Sequence, residues 1–335
     1  MRIGHGIFAA LLTGWLTACG SPTPHEVAGL EPGDESGIGG TGILARESGI
    51  GGTGIVGEIT GFGSIFVNGE EVEIHQGTRI RVDGEAVSTH AFAVGEVVAL
   101  RAVPREGGLF ADEAHVRHEV IGPVSGVNGD VLTVLGQRVR FAGSPPAIGE
   151  RVAVSGFRDP AGVIHATRIA PVPNGEALVV GVPRSTPSGW RLGDLAVQLP
   201  AEPPAGELRL RGRLQGQTLQ VQAMQPVSLL PFDAPVGRAL IQGFVRPLGD
   251  GRLGIDGLRF TAPPGAGRMP TARPVRLELQ RQAGGWRLGR LLLPDHLPRG
   301  RPSPLPHPGM PRSGWPMGRP PAPGGAGMPP GMYRR

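Results

Sequence analysis

The sequence predicts an all-β protein of about four small barrels in tandem, and three observations predict it. From Val56 onward apolar and polar residues alternate with period two between Gly-containing turns, the signature of half-buried strands and hairpins. The same order of strands and turns returns about every 55 to 60 residues. No stretch of comparable length in the mature chain carries an apolar stripe of period 3.6, so helix is limited to short turns.

Composition agrees with small β units. Gly (57) and Pro (36) together exceed a quarter of the 335 residues, the level of turn-dense or low-complexity chains. Aromatics are only 4%, which leaves Val, Leu and Ile to build the core. The positive charge is all Arg and unevenly placed: residues 1–236 hold 17 Arg against 24 acids, residues 237–335 hold 16 against 4.

The first unit, 56–119, opens with Gly57-Glu58-Ile59-Thr60-Gly61 and turns at Asn68-Gly69, a favoured type I′ pair. The second, 120–175, repeats the plan from Gly122-Pro123-Val124, and its Gly149-Glu150-Arg151-Val152 answers Gly95-Glu96-Val97-Val98. A third unit, 176–236, contains Val180-Gly181-Val182 and Gly206-Glu207-Leu208. The fourth and most divergent, 237–296, begins around Ile241-Gln242-Gly243-Phe244. Five or six short strands per unit cannot cover both faces of an open sheet, so each is expected to close into an OB-like barrel. The alternative is a sandwich or solenoid in which neighbouring units share sheets.

Flanking segments follow other rules. Residues 1–18 show a basic start at Arg2, an apolar run from Ile7 to Leu12 and then small residues, the plan of an export signal. That run is shorter than the roughly 20 residues of a spanning helix. Leu16-Thr17-Ala18-Cys19-Gly20 resembles a lipobox, in which the peptidase cuts before a diacylated cysteine. Cys19 is the only cysteine, so no internal disulfide is expected. Acyl chains contribute roughly 0.8 kcal/mol per buried methylene, which makes Cys19 a stable membrane anchor. Gly20, in place of Asp, resembles the sorting pattern for the periplasmic face of the outer membrane. Residues 19–55 read as a lipidated, Gly-rich tether containing Glu35-Ser36-Gly37-Ile38-Gly39-Gly40-Thr41-Gly42-Ile43, repeated from Glu47 to Ile55. Residues 297–335 are rich in Pro, Gly, Arg and Met, lack a core and read as a disordered tail.

Gly51-Gly52-Thr53-Gly54-Ile55, followed by Gly57-Glu58-Ile59-Thr60-Gly61-Phe62-Gly63-Ser64-Ile65-Phe66-Val67-Asn68-Gly69, resembles the bacterial family known as domain of unknown function 5666. The resemblance covers residues 50–119 well and the second unit loosely; units three and four depart from the motif. It implies an exported, repeat-containing β protein of unassigned activity and supplies no catalytic residues.

Candidate chemistry is sparse. His75, His90, His115 and His118, with Asp112 and Glu113 nearby, are metal-binding types. His115 and His118 would point to opposite faces of one strand, so polar surface residues are the expected reading. In the tail, His307, Met310, Met317, Met328 and Met332 offer soft ligands suited to Cu(I), an alternative to incidental methionines. Arg209, Arg211 and Arg213 alternate on a strand and form a candidate patch for an anionic envelope partner. Trp190, Trp286 and Trp315 are isolated, which argues against nucleic acid. Gly61-Phe62-Gly63-Ser64-Ile65 lacks the last glycine of a nucleophile elbow, and the glycine-rich repeat lacks the lysine of a phosphate loop. The sequence therefore leads to a non-enzymatic, membrane-anchored binding or scaffold module with no cofactor.

Overall fold

The computed structural model describes residues 51–249, 251–262 and 272–292. The signal, Cys19, most of the tether and the tail residues His307, Met310, Met317, Met328 and Met332 lie outside them. Among the described residues every regular element is a strand.

Barrel 1 contains β1 (Thr53–Gly61), β2 (Ile65–Val67), β3 (Glu70–Glu73), β4 (Arg79–Val82), β5 (Glu85–Val87), β6 (Val97–Arg105) and β7 (Gly108–Arg117). Barrel 2 contains β8 (Val120–Asn128), β9 (Val131–Val134), β10 (Gln137–Arg140), β11 (Arg151–Arg158) and β12 (Ile164–Pro171). Barrel 3 contains β13 (Ala177–Gly181), β14 (Arg184–Thr186), β15 (Gly189–Leu192), β16 (Leu195–Gln198), β17 (Leu208–Gln215) and β18 (Thr218–Pro226). Barrel 4 contains β19 (Arg238–Gly243), β20 (Arg246–Gly249), β21 (Arg252–Ile255), β22 (Leu258–Thr261), β23 (Val275–Gln282) and β24 (Gly285–Leu292). The tether gives way to strand three residues earlier than its composition suggests. Thr53, Gly54 and Ile55 belong to β1, because their backbone groups pair with Ala102, Arg101 and Leu100 of β6.

Each barrel repeats one closure. In barrel 1 the order is β1-β2-β3-β7-β6 and back to β1; in barrel 2 it is β8-β9-β10-β12-β11 and back to β8. Where the circuit passes from its second hairpin strand to its last strand in chain order, the two run parallel: β3 with β7, β10 with β12, β16 with β18 and β22 with β24. In barrels 3 and 4 the first strand is interrupted, between β13 and β14 at Val182-Pro183 and between β19 and β20 at Phe244-Val245. Pro183 has no N–H to give a ladder, which accounts for the first break. This is the five-stranded OB-like circuit, in all four units.

The units also share sheets in two pairs, barrel 1 with barrel 4 and barrel 2 with barrel 3. The first half of β1 pairs with β6 on one side, while its own hairpin covers only the second half through β2. The uncovered edge, Thr53 to Val56, is taken by parallel β19 of barrel 4. The first half of β8 is left open in the same way and is taken by antiparallel β13 of barrel 3. Pairing removes two exposed edges that would otherwise template association.

A glycine makes room for the hairpin turn in each of these joined strands. At Gly57 a Cβ would lie 2.5 Å from Asn68 Oδ1. Asn68, at φ 57°, instead uses its Nδ2 to donate to Val56 O at 2.9 Å and to Leu240 O of barrel 4 at 3.1 Å. At Gly122 a Cβ would meet the Leu135 side chain, with Cδ1 at 2.7 Å.

The aliphatic residues fill three main cores. Barrels 2 and 3 share one, in which Val120, Leu132 and Ile164 pack with Val179, Leu208 and Leu219. Val56 and Ala99 of barrel 1 contribute to the core of barrel 4, and Leu240 of barrel 4 to that of barrel 1. Among the described residues barrel 1 alone has the extra β4–β5 hairpin, which lies against β7 and reaches barrel 3: Arg211 donates to Glu85 Oε1 at 2.8 Å and to Asp83 O at 3.2 Å.

Candidate functional site

The four barrels meet around Glu119, which lies between β7 and β8. Its N–H donates to Val154 O of barrel 2 and its carbonyl accepts Val180 N–H of barrel 3. Its carboxylate, only 2% exposed, takes Arg117 Nη2 at 2.8 Å and faces Arg158 Nε at 3.4 Å. Barrel 4 adds Asp256, 4.0 Å from Arg117 Nη1. Asp256 occupies the hairpin-turn place that Asn68 holds in barrel 1, at φ 41°. An acid there finds a guanidinium where the amide found carbonyls.

Barrel 3 contributes Glu207, released by a local exception in the repeat. In barrels 1 and 2 the Gly-Glu pair that opens the fourth circuit strand closes its own turn: Glu96 accepts Ala93 N–H and Glu150 accepts Ala147 N–H, each at 3.0 Å. Three residues before Glu207 stands Pro204, which has no N–H to offer. Glu207 points to the junction instead, and its Oε2 is buried without a hydrogen-bond partner. Burial drives its carboxyl up to about 7; Arg117 opposes this, and Asp256 and Glu119 add to it. Asp256 is raised by burial as well, against the pull of Arg117. For Arg117, burial disfavours the charge, but Glu119, Asp256 and Glu207 overcome it and raise its pKa.

Above this cluster lies a cleft of about 700 Å³, walled by hairpin turns and first strands of barrels 2, 3 and 4. Arg158, Glu207 and Asp256 form part of its lining; Arg138, Arg184, Arg191, Arg246 and Arg259 also border it. Exposed Val182 and Leu248 supply apolar surface, and the Phe244 ring is buried behind them. The arrangement can hold a charged ligand at the rim while offering a protonatable acid within.

The residues singled out by sequence are dispersed. His115 meets Glu113 at 3.4 Å, His90 meets Glu96 at 3.0 Å and His118 meets Asp83 at 2.8 Å. His75 accepts from Gly77 N–H, and Asp112 pairs with Arg101 and Arg105. His118 is not on the strand with His115; it follows the end of β7 at Arg117. Among the described residues no group of three or more His, Cys, Asp or Glu could hold a metal ion.

The expectation that Arg209, Arg211 and Arg213 form one surface patch is corrected. Arg211 is committed to Glu85, and Arg209 is half-buried, with the Asp83 charge acting on it. A bulge between Arg211 and Gly212 shifts the register, leaving Arg213 exposed by itself. Trp190 packs on the shared core of barrels 2 and 3, while Trp286 is buried in barrel 4 with Arg281 over its ring at 5.4 Å.

Sequence reasoning missed Arg117, Glu119, Arg158, Glu207 and Asp256. Only Glu207 carried a local signal, the proline three residues before a repeated Gly-Glu. No curated protein and no solved structure matches the chain. Residues 53–114 and 121–170, which make up most of barrels 1 and 2, match the family described as Domain of unknown function (DUF5666), and it is this family that the first half of the folded chain is similar to.

Proposed function

We propose that the protein is a non-enzymatic binding module of the cell envelope, tethered by lipid on Cys19 at the periplasmic face of the outer membrane, with the cleft among barrels 2, 3 and 4 as its ligand site. One observation carries the reading: no single barrel makes the cleft, and its walls are brought together by the junction at Glu119, the shared sheets and the packing of Phe244 on Phe157. The lipobox around Cys19 supports the anchor. Hydrogen exchange on the intact protein, with and without envelope extract, tests the site. Protection concentrated on residues 181–194 and 244–259 is expected; protection confined to other faces sinks it. Cys19→Ser is expected to move the protein from the membrane to the soluble fraction.

Glu207 favours a second reading, acid-assisted hydrolysis of whatever enters the cleft, since a carboxyl titrating near neutrality suits a general acid. Conversion of a captured ligand by the wild type and not by Glu207→Gln would support it. Release of the ligand unchanged favours binding alone.

A further inference from the structure

The arginines around the cleft are arranged against their own electrostatics. Arg184 of β14 and Arg191 of β15 are directly paired across two antiparallel strands, so their side chains leave the same face side by side. Like charges directly opposite one another destabilise a sheet. On barrel 4, Arg246 and Arg259 both flank Gly254, one from each neighbouring strand. They stand two strand spacings apart, roughly 10 Å, across a residue with no side chain. Arg138 of β10 completes the set from barrel 2.

Among the described residues little neutralises these charges. Arg184, Arg259 and Arg138 are exposed and have no acidic partner among the described residues. Arg191 donates only to the Asp194 carbonyl, and Arg246 lends its charge to Asp256. The remaining acids of the lining are occupied or stand apart: Asp159 holds His165 and two backbone N–H groups, and the Asp194 side chain is in solvent. Guanidinium pairs of this kind match the two-oxygen edges of phosphate groups. Among the described residues the only aromatic ring of the lining, Phe244, is 3% exposed and gives no platform for a base.

We propose that the cleft binds a compact, non-nucleotide anion carrying at least two phosphate groups, one held by Arg184 and Arg191 and another by Arg246 and Arg259, with Arg138 closing the third side. This rests on the cleft being the ligand site. Such phosphates could be free in solution or carried on a lipid headgroup, and the test separates the two.

Inorganic tripolyphosphate is titrated calorimetrically into the full-length protein at low and moderate salt, with a neutral chitooligosaccharide as the uncharged probe. Tripolyphosphate should bind, with affinity falling as salt rises. Both Arg184→Gln/Arg191→Gln and Arg246→Gln/Arg259→Gln should weaken it about tenfold or more. The exposed control Arg287→Gln should leave it unchanged. Because the Arg184/Arg191 replacement relieves a repulsion, that variant should melt no lower than the wild type, so weaker binding is not explained by misfolding. Phosphatidylcholine vesicles containing diacylglycerol pyrophosphate, whose headgroup carries two phosphates, form the second arm. Capture that tripolyphosphate competes away places the phosphates on a lipid; binding of tripolyphosphate alone places them in solution. Binding of the neutral probe without tripolyphosphate overturns the anion assignment and leaves the cleft as a site. Uptake of neither overturns both, and tripolyphosphate binding untouched by the four substitutions overturns the assignment of residues.

Discussion

Arg117 and Glu119, two residues apart, face each other at 2.8 Å across the end of β7, with side chains 10% and 2% exposed. The pair lies where all four barrels converge, and Glu119 is also shared with Arg158. Breaking a buried ion pair from one side strands the other charge, a cost of about 3–5 kcal/mol. Glu119→Ala leaves two guanidiniums without their carboxylate. It should lower the stability measured by urea unfolding by about that amount, whereas a loss under 1 kcal/mol would mean that solvent reaches the junction freely.

Glu207 makes stability depend on pH. Its folded pKa, about 7, lies above the unfolded value of 4.5, so the folded state keeps a proton that the unfolded state has released. Stability therefore falls as pH rises from 4.5 through about 7. The upper bound on the change is on the order of 3 kcal/mol. Glu207→Gln should be more stable than the wild type at pH 8 and show a flatter profile; an unchanged slope would place the titration elsewhere.

His118, paired with Asp83, adds dependence of the same sense around neutrality. Burial lowers the His118 pKa, but the hydrogen bond and charge of Asp83 reverse this and raise it above 6.5. Its stabilisation is present below 6.5 and is lost as pH rises through the folded value. For Asp83, burial raises the pKa, and bonds to His118 lower it below 3.8. That contribution is present above 3.8 and lost as pH falls through the folded value. His118→Asn should remove part of the loss of stability between pH 6 and pH 8, read from melting temperatures across that range.

Gly122 tests the close approach of the hairpin turn to the first strand. A methyl group there meets Leu135 side-chain atoms, including Cδ1 at 2.7 Å. Gly122→Ala should cost about 1–3 kcal/mol through forced repacking. Gly175→Ala, which meets nothing within 4 Å, is the control and should change stability by less than about 0.5 kcal/mol. Equal effects at the two sites would contradict the packing described.

What the sequence by itself determined is local and repetitive. Period-two alternation between turns such as Asn68-Gly69 specified strands, and the return of that pattern specified four small closed sheets, because side-chain alternation and turn chemistry belong to each segment. What only the tertiary structure decided is how the barrels join and what they enclose. The edges that join β1 to β19 and β8 to β13 are made of N–H and C=O groups that nearly every residue carries, so no residue pattern marks them. Arg117, Glu119, Arg158, Glu207 and Asp256 look like ordinary polar residues along the chain; folding brings them out of water to one point, and burial turns ordinary charges into a coupled cluster.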